Sequence, residues 1–399
     1  MDGSWLTFPI QSQFERVARP HPALIELAAG RALPQIDDGG RLVASAMEHK
    51  MTGLLLSRLE QGECTLEPEL ERDLAAISLL IEDRHRRLTH ALACVSERLQ
   101  TEGIDVATFK GVAAELRWYD RIGERPCSDV DLLVAPHDLH RVGELVELLE
   151  PGHRMGGRTL QRLADDGALE GLDLRFDGVS IDVHFDLFKL GYPGRQPETV
   201  WSRTLPMTLP GGGHTRMLDP ELSFVHLLLH LNRDKFRTLL GYADISRILD
   251  RESLDWDFIT RFVRREGLKT QHALALGVVV DTLRLNVPDC VVPTGWRASI
   301  WRIAWRPKTR LLGELAGIRY MRRGPLLLPL LVHGRARDAV GYWFRRLFPP
   351  RAVVDIKHPG TRGPYLWRLL VGRLGQRREL VVKRLALRKE LTRKSGVGW

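Results

Sequence analysis

The sequence predicts an α+β protein in which a small mixed β-sheet is flanked by mainly helical N- and C-terminal regions. Apolar residues recur at intervals of three and four over much of residues 12–100 and again over residues 219–290, as in amphipathic helices. Between these two regions, short segments alternate apolar and polar residues, as half-buried strands do. Two of these segments are separated by Asp177-Gly178, a strong signal for a two-residue hairpin turn.

The longest helical pattern near the N-terminus runs from residue 69 and ends at Gly103. The segments that follow are predicted as a strand (104–109), a helix after Lys110-Gly111, a strand (128–135), a helix that begins near Pro136 (136–150) and two hairpin strands (172–176 and 179–188). Asp219 is a plausible N-cap for the next helix, with Pro220 at its first position. The glycines at 211–213 are interpreted as a flexible linker.

The composition indicates a globular protein with an uneven charge distribution. Hydrophobic residues make up 44% of the 399 residues, which allows a sizeable core and argues against a disordered chain. Residues 297–399 hold 25 of the 59 Lys and Arg residues and 5 of the 50 Asp and Glu residues. Their net charge is +20, against −11 for residues 1–296. The basic region 297–399 is therefore a candidate to bind a polyanion, either nucleic acid or an acidic membrane surface, with an ordinary solvated surface as the alternative.

Neither a secretory signal nor a transmembrane segment is predicted. The chain start has no basic stretch followed by an apolar one, and the longest apolar run, 325–332, is interrupted by Pro329 and too short to span a bilayer. The four cysteines lack CxxC spacing, which predicts reduced thiols and argues against a zinc site. We expect a cytoplasmic protein.

Acidic side chains share one face of two predicted strands. Because side chains alternate along a strand, Asp129 and Asp131 point opposite to the aliphatic residues around them, with Cβ atoms about 6–7 Å apart. In the second hairpin strand, Asp182, His184 and Asp186 likewise lie opposite its apolar residues. If the two strands are neighbours in one sheet, Asp182 or Asp186 converges with the first pair.

Converging carboxylates repel one another, and without a counter-ion at least one has a raised pKa. Mg²⁺ removes this conflict, because it prefers oxygen ligands and retains water and substrate phosphates. Two such ions about 3.5–4 Å apart clamp an in-line attack at phosphorus. A D-x-D pair alone arises often by chance, so this prediction depends on the acidic face of both strands.

The stretch "FKGVAAELRWYDRIGERPCSDVDLLV", followed by a helix and then by "IDVHFDLF", resembles the uncharacterised nucleotidyltransferase family of the polymerase-β-like superfamily. The shared features are a lysine-glycine turn, a helix that ends near a tyrosine, an arginine shortly before D-x-D and a later D-x-H strand. The segment "FVHLLLHLNRDKFRTLLGYADISRIL" is similar to the helical segment of that family. The resemblance covers about residues 80–290, and its strength lies in the order and spacing of short motifs.

The resemblance implies that Asp129, Asp131 and Asp182 are the catalytic and metal-binding carboxylates, with Mg²⁺ as two ions and Mn²⁺ as an alternative. It also implies that Lys110 and Gly111 contact nucleotide phosphates, at a turn where the wider superfamily has glycine-serine. A helix N-terminus and a lysine ammonium both suit phosphate.

Two further residues are assigned to substrate binding with alternatives left open. Arg125 contacts a phosphate, braces the acidic cluster or is a solvated loop residue. His184 orients a carboxylate, contacts substrate or is a structural histidine; it suits Mg²⁺ poorly as a ligand.

The expected reaction is Mg-dependent transfer of a nucleoside monophosphate from an NTP, foremost ATP, to an unknown acceptor with release of pyrophosphate. The alternative is a catalytically degenerate protein of the same fold that binds nucleic acid or a membrane through its basic region. The expected division of the chain is a helical region (1–100), the nucleotidyltransferase-like core (101–215), a second helical region (216–296) and the basic region (297–399).

Overall fold

The computed structural model describes residues 20–149, 171–185, 187–188, 198–234, 236 and 238–288, together with positions 340, 344, 348, 354, 364 and 365. The basic region 297–399 lies almost wholly outside these residues, as does Asp186. Among the described residues, none of the helices is long and apolar enough to cross a membrane.

Six strands of the described chain form one mixed sheet, in the order β3-β4-β2-β1-β6-β5. The strands are β1 (Val106–Thr108), β2 (Val130–Val134), β3 (Gly171–Phe176), β4 (Val179–His184), β5 (Thr204–Thr208) and β6 (His214–Leu218). The β2–β4 and β1–β6 pairs are parallel, and the β1–β2, β3–β4 and β5–β6 pairs are antiparallel. The predicted mixed sheet flanked by helices is confirmed.

The N-terminal helices are α1 (Pro22–Ala28), α2 (Gly39–Glu48), α3 (Thr52–Glu60) and α4 (Pro68–Thr101). Proline at the first helical position starts α1 and α4, where its missing N–H costs no hydrogen bond. The Asp38 carboxylate caps α2 by accepting a hydrogen bond of 2.9 Å from the Arg41 backbone N–H. The 34-residue α4 lies against the sheet along one side.

The helices between the central strands are α5 (Gly111–Trp118) and α6 (Leu139–Leu149). Pro136 begins a 3₁₀ turn (Pro136–Asp138) that leads directly into α6, so the predicted opening is confirmed with a tighter first turn.

The β3–β4 hairpin has the predicted two-residue turn. Asp177 and Gly178 have φ angles of 48° and 72°, the pair of left-handed conformations that a type I′ turn requires. Phe176 therefore pairs with Val179, and the register of both strands is fixed from that point.

The β5–β6 hairpin was not predicted from the sequence. Gly211 and Gly212 lie in the turn that joins these strands, each with φ of 93°, so the glycine run is part of a hairpin and the linker interpretation was wrong. A short helix, α7 (Glu198–Ser202), precedes β5.

Four helices follow the sheet: α8 (Pro220–Arg233), α9 (Leu240–Arg251), α10 (Trp256–Arg265) and α11 (Lys269–Leu283). The predicted cap at the start of α8 is confirmed, because the Asp219 carboxylate accepts a hydrogen bond of 2.8 Å from the Leu222 backbone N–H. The predicted boundary at 215/216 falls within β6, and the four-part division of the chain stays a prediction.

Two hydrophobic clusters cover the sheet. One packs Leu92 and Val95 of α4 against Leu132 of β2 and Ile181 of β4. The other unites α1–α3 with α8–α11 and takes in Leu133, which points away from Leu132. β2 is buried along its whole length, so any charge on it must be compensated by its neighbours.

Leu132→Ala should lower the free energy of unfolding by about 2–5 kcal/mol, because Leu132 is fully buried and its truncation leaves a cavity. Leu79→Ala on α4 is the control, since this side chain is 65% exposed, and it should change stability by less than about 0.5 kcal/mol. Urea unfolding monitored by tryptophan fluorescence measures both. Equal effects of the two substitutions would contradict this packing.

Candidate metal centre

A row of carboxylates crosses three adjacent strands of the sheet. Asp131 of β2 is the register partner of Asp182 of β4, and Asp182 is the register partner of Asp173 of β3. Register partners on neighbouring strands point to the same face about 5 Å apart. The parallel pairing of β2 with β4 therefore brings together carboxylates that are 51 residues apart in the sequence.

Asp131 and Asp182 converge on one imidazole. His184 Nε2 lies 3.0 Å from Asp131 Oδ1 and 2.8 Å from Asp182 Oδ2. Ligand atoms of these three residues all lie within 4.8 Å of one another, a grouping that could hold a metal ion. The His184 ring is fully buried and packs edge-on against Phe109, with 5.0 Å between ring centroids, which fixes its orientation.

Lys110 supplies the positive charge at this cluster. Its Nζ lies 2.6 Å from Asp131 Oδ1, and both side chains are largely buried. Burial alone would raise the pKa of Asp131, but the Lys110 ammonium and the His184 imidazole outweigh it and hold this pKa well below its usual range. Asp131 is thus an ionised carboxylate in the interior of the sheet.

The Lys110-Gly111 turn brings the N-terminus of α5 to the same place. Lys110 has a φ of 55°, which strains its backbone, and Gly111 has a φ of 20°, a positive value that glycine adopts without a Cβ clash. A Cβ at Gly111 would lie 3.4 Å from the Asp129 carbonyl oxygen and 3.8 Å from Asp131 Oδ2. No side chain caps α5 among the described residues, and the positive end of its dipole faces Asp131.

Asp129 lies one residue before β2 and is half-buried. Its Oδ1 accepts a hydrogen bond of 2.9 Å from the Ser128 hydroxyl. It is not part of the convergent group formed by Asp131, Asp182 and His184. Its predicted role as a metal ligand stays a prediction.

Arg125 is held within the protein by a bidentate ion pair. Its Nε and Nη2 each donate to the Asp244 carboxylate of α9 at 2.8 Å, and its Nη1 donates to the Gly111 carbonyl at 3.3 Å. The Tyr119 hydroxyl donates to the same carboxylate at 2.7 Å. Arg125 is buried rather than solvated, and its carboxylate partner is Asp244 rather than the acidic cluster, so its guanidinium connects the start of α5 to α9.

Asp173 was missed in the sequence analysis, although a signal for it exists. With a two-residue turn at Asp177-Gly178, counting back along the hairpin places Asp173 opposite Asp182. Asp173 is exposed, and its carboxylate lies outside the convergent group. The competing candidate Asp186 lies outside the described residues.

The donor set at Asp131 and Asp182 suits a hard divalent cation. Ionised carboxylate oxygens are the ligands that Mg²⁺ and Mn²⁺ prefer, and the side chain of Asp182 is 21% exposed, so the site is open to solvent on that side. The raised pKa expected for converging carboxylates is not found at Asp131, because Lys110 and His184 already compensate its charge.

A family model described as uncharacterised nucleotidyltransferase matches residues 37–284, which include all six described strands. Among solved structures, the chain is similar to an antigenic nucleotidyltransferase-like protein from Paracoccidioides brasiliensis. The identity is 16%, the match covers 46% of this chain and 91% of that chain, and the TM-score is 0.29. No curated protein matches the chain.

Arg125→Met should lower the free energy of unfolding by about 3–5 kcal/mol, because it leaves the buried Asp244 carboxylate without its partner. The control is Arg121→Met, whose ion pair with Glu60 is exposed and contributes at most about 1 kcal/mol. Urea denaturation measures both variants. Adding Asp244→Leu to Arg125→Met should recover part of the loss, and a further large loss would contradict the bracing role.

Proposed function

The chain belongs to the uncharacterised nucleotidyltransferase family, and from that premise we propose that it transfers a nucleoside monophosphate from an NTP to an acceptor, with release of pyrophosphate. ATP is the foremost donor, and Mg²⁺ is the foremost cofactor, as two ions, with Mn²⁺ as the alternative. The observation that carries the proposal is the register of Asp131 with Asp182, joined through His184 Nε2.

Asp131 and Asp182 are the proposed ligands that hold the metal, with Asp129 as the third carboxylate at the mouth of β2. When bound, the divalent ions stabilise charge on the attacking and leaving oxygens of phosphoryl transfer. Asp131 is 5% exposed and is ionised by its surroundings, which suits a permanent ligand. Asp182 is more exposed, which supports its second proposed role of accepting the proton of the acceptor nucleophile.

His184 is proposed to position both carboxylates. Its Nε2 faces two carboxylate oxygens, so the ring carries a proton on this nitrogen and holds the two acids at a fixed separation. The contact with Phe109 keeps the ring from rotating away.

Lys110 and Gly111 are the proposed phosphate contacts. The α5 N-terminus offers backbone N–H groups next to Asp131, and the Lys110 ammonium is a point charge within reach of both the carboxylate and a phosphate. Arg125 supports this turn from behind through the Gly111 carbonyl, which supports an indirect contribution to substrate binding.

The basic region 297–399 is the proposed binding surface for a polyanion. A net charge of +20 over residues 297–399 supports binding of a polyanion, either nucleic acid or an acidic membrane surface. A cytoplasmic location is part of the same proposal. The ionised Asp131 and its partners favour an active enzyme over the non-catalytic alternative.

Asp131→Asn should abolish the stabilisation that Mg²⁺ with ATP gives to the purified protein, because a neutral amide is a poor metal ligand. Asp105→Asn is the matched control, since it removes the same charge from an exposed position just before β1 and should keep the full effect. Thermal unfolding with Mg²⁺, ATP or both measures it. If neither the unmodified protein nor Asp105→Asn is stabilised by Mg²⁺ with any of the four NTPs, the proposed function fails.

Asp182→Asn should lower nucleotidyl transfer by at least about 100-fold, whereas Asp173→Asn should lower it by less than about tenfold, because Asp173 lies outside the convergent group. The assay follows label from α-labelled NTPs into acceptors of a cell lysate, in the presence of Mg²⁺. The same assay on Asp129→Asn tests its proposed place as a metal ligand. An inactive Asp173→Asn with an active Asp182→Asn would reverse the assignment.

A further inference from the structure

A second group of metal-ligating side chains lies behind the Lys110-Gly111 turn. His85 of α4, Glu115 of α5 and Cys127 in the segment before β2 bring their ligand atoms within 4.8 Å of one another. None of the three belongs to the acidic row on the sheet. They come from three separate parts of the chain, so no short sequence motif links them.

His85 is a buried imidazole without a hydrogen bond of normal geometry to any described atom. Its side chain is 2% exposed, and both ring nitrogens are buried. Nδ1 lies in ion-pair contact with Glu115 Oε2. Nε2 has no hydrogen-bond partner among the described residues, and a buried ring nitrogen left in this way is costly, so Glu115 alone does not satisfy His85.

Glu115 is oriented by the backbone of the following loop. Its Oε1 accepts hydrogen bonds from the Gly123 N–H at 2.7 Å and from the Arg125 N–H at 3.1 Å. This leaves Oε2 directed at His85 and at Cys127 Sγ, which lies 4.0 Å away. Because Oε1 is anchored by the backbone, Oε2 is a preorganised ligand atom.

Cys127 provides the third donor and determines the kind of metal. Arg125 Nη1 lies 3.4 Å from Sγ, and the same guanidinium is paired with Asp244. Burial raises the pKa of the thiol to about 12 in the metal-free protein, and a coordinating divalent ion displaces that proton. Sulfur and imidazole ligands select zinc-like ions over Mg²⁺.

We propose that His85, Glu115 and Cys127 bind one zinc-type divalent cation, separate from the cation proposed at Asp131 and Asp182. The thiolate and the carboxylate together balance the charge of the ion. A tetrahedral ion sets its ligand atoms about 3.3–3.8 Å apart. Metal uptake therefore shortens the Sγ–Oε2 distance from 4.0 Å and separates the direct contact between His85 and Glu115.

The role of this ion is to fasten α4 and α5 to the loop that precedes β2. That loop carries Arg125 and leads into Asp129. α5, which carries Glu115, begins at the Lys110-Gly111 turn. A Cβ at Gly111 would lie 4.0 Å from Cys127 Sγ and 3.8 Å from Asp131 Oδ2, so the two sites are neighbours on either side of this glycine.

Cobalt titration of the full-length, tag-free and metal-stripped protein tests the proposal. Co²⁺ is added in the presence of excess Mg²⁺, which occupies oxygen-rich sites, and absorbance is followed in the near ultraviolet. A thiolate-to-cobalt charge-transfer band should saturate at one equivalent and disappear when Zn²⁺ is added. Cys127→Ser should lack the band. Cys94→Ser, which removes a half-buried thiol of α4 that lies 3.7 Å from His90 Nε2, should keep it.

His85→Gln and Glu115→Gln should each weaken Co²⁺ binding at least tenfold while keeping the thiolate band at high Co²⁺. If circular dichroism shows that Cys127→Ser does not fold, these two variants test the site in its place. Asp131→Asn should bind Co²⁺ as the unmodified protein does, which separates this site from the proposed function. No thiolate band at a tenfold excess of Co²⁺, a band that persists in Cys127→Ser, or unchanged affinity in His85→Gln would each overturn the proposal.

Discussion

The need to compensate a buried carboxylate at the centre of the sheet organises the surroundings of Asp131. β2 is buried along its length, so the charge of Asp131, which is 5% exposed, has little access to bulk water. Lys110 and His184 hold it ionised, and both depend on backbone features: the strained turn before α5 and the parallel pairing of β4. A charge that is costly to bury is retained where it binds another charge, which fits the metal site proposed for this family member.

In the loop before β2, buried charged side chains are likewise compensated by neighbouring groups. Glu115 anchors this loop through two backbone N–H groups, and Arg125 within it connects the Gly111 carbonyl to Asp244. Glu115 and Arg125 thus have partners within the fold, whereas the ring nitrogens of His85 lack a hydrogen bond of normal geometry. Support of this kind suits the proposed phosphoryl transfer, which requires its reacting groups to be held within a narrow tolerance.

Much of the fold follows from local sequence signals. The type I′ turn at Asp177-Gly178 and the Asp219 cap are decided by residues adjacent in the chain, so they were predictable. The β5–β6 hairpin was not, because its strands are short and its glycine run looks like a linker when read alone. Alternation of side chains gave the acidic face of β2 and β4, since period-two geometry holds for any strand.

The sequence by itself determined which faces are acidic and which family's motifs the chain carries, because both depend on spacing along a single element. Tertiary structure decided the partners. The parallel register places Asp131 beside Asp182, and the packing of α9 places Asp244 within ion-pair distance of Arg125. The packing of α4 and α5 against the loop before β2 places His85 near Cys127. These contacts join residues far apart in the chain, and their geometry is fixed by how the elements pack, which no local pattern encodes.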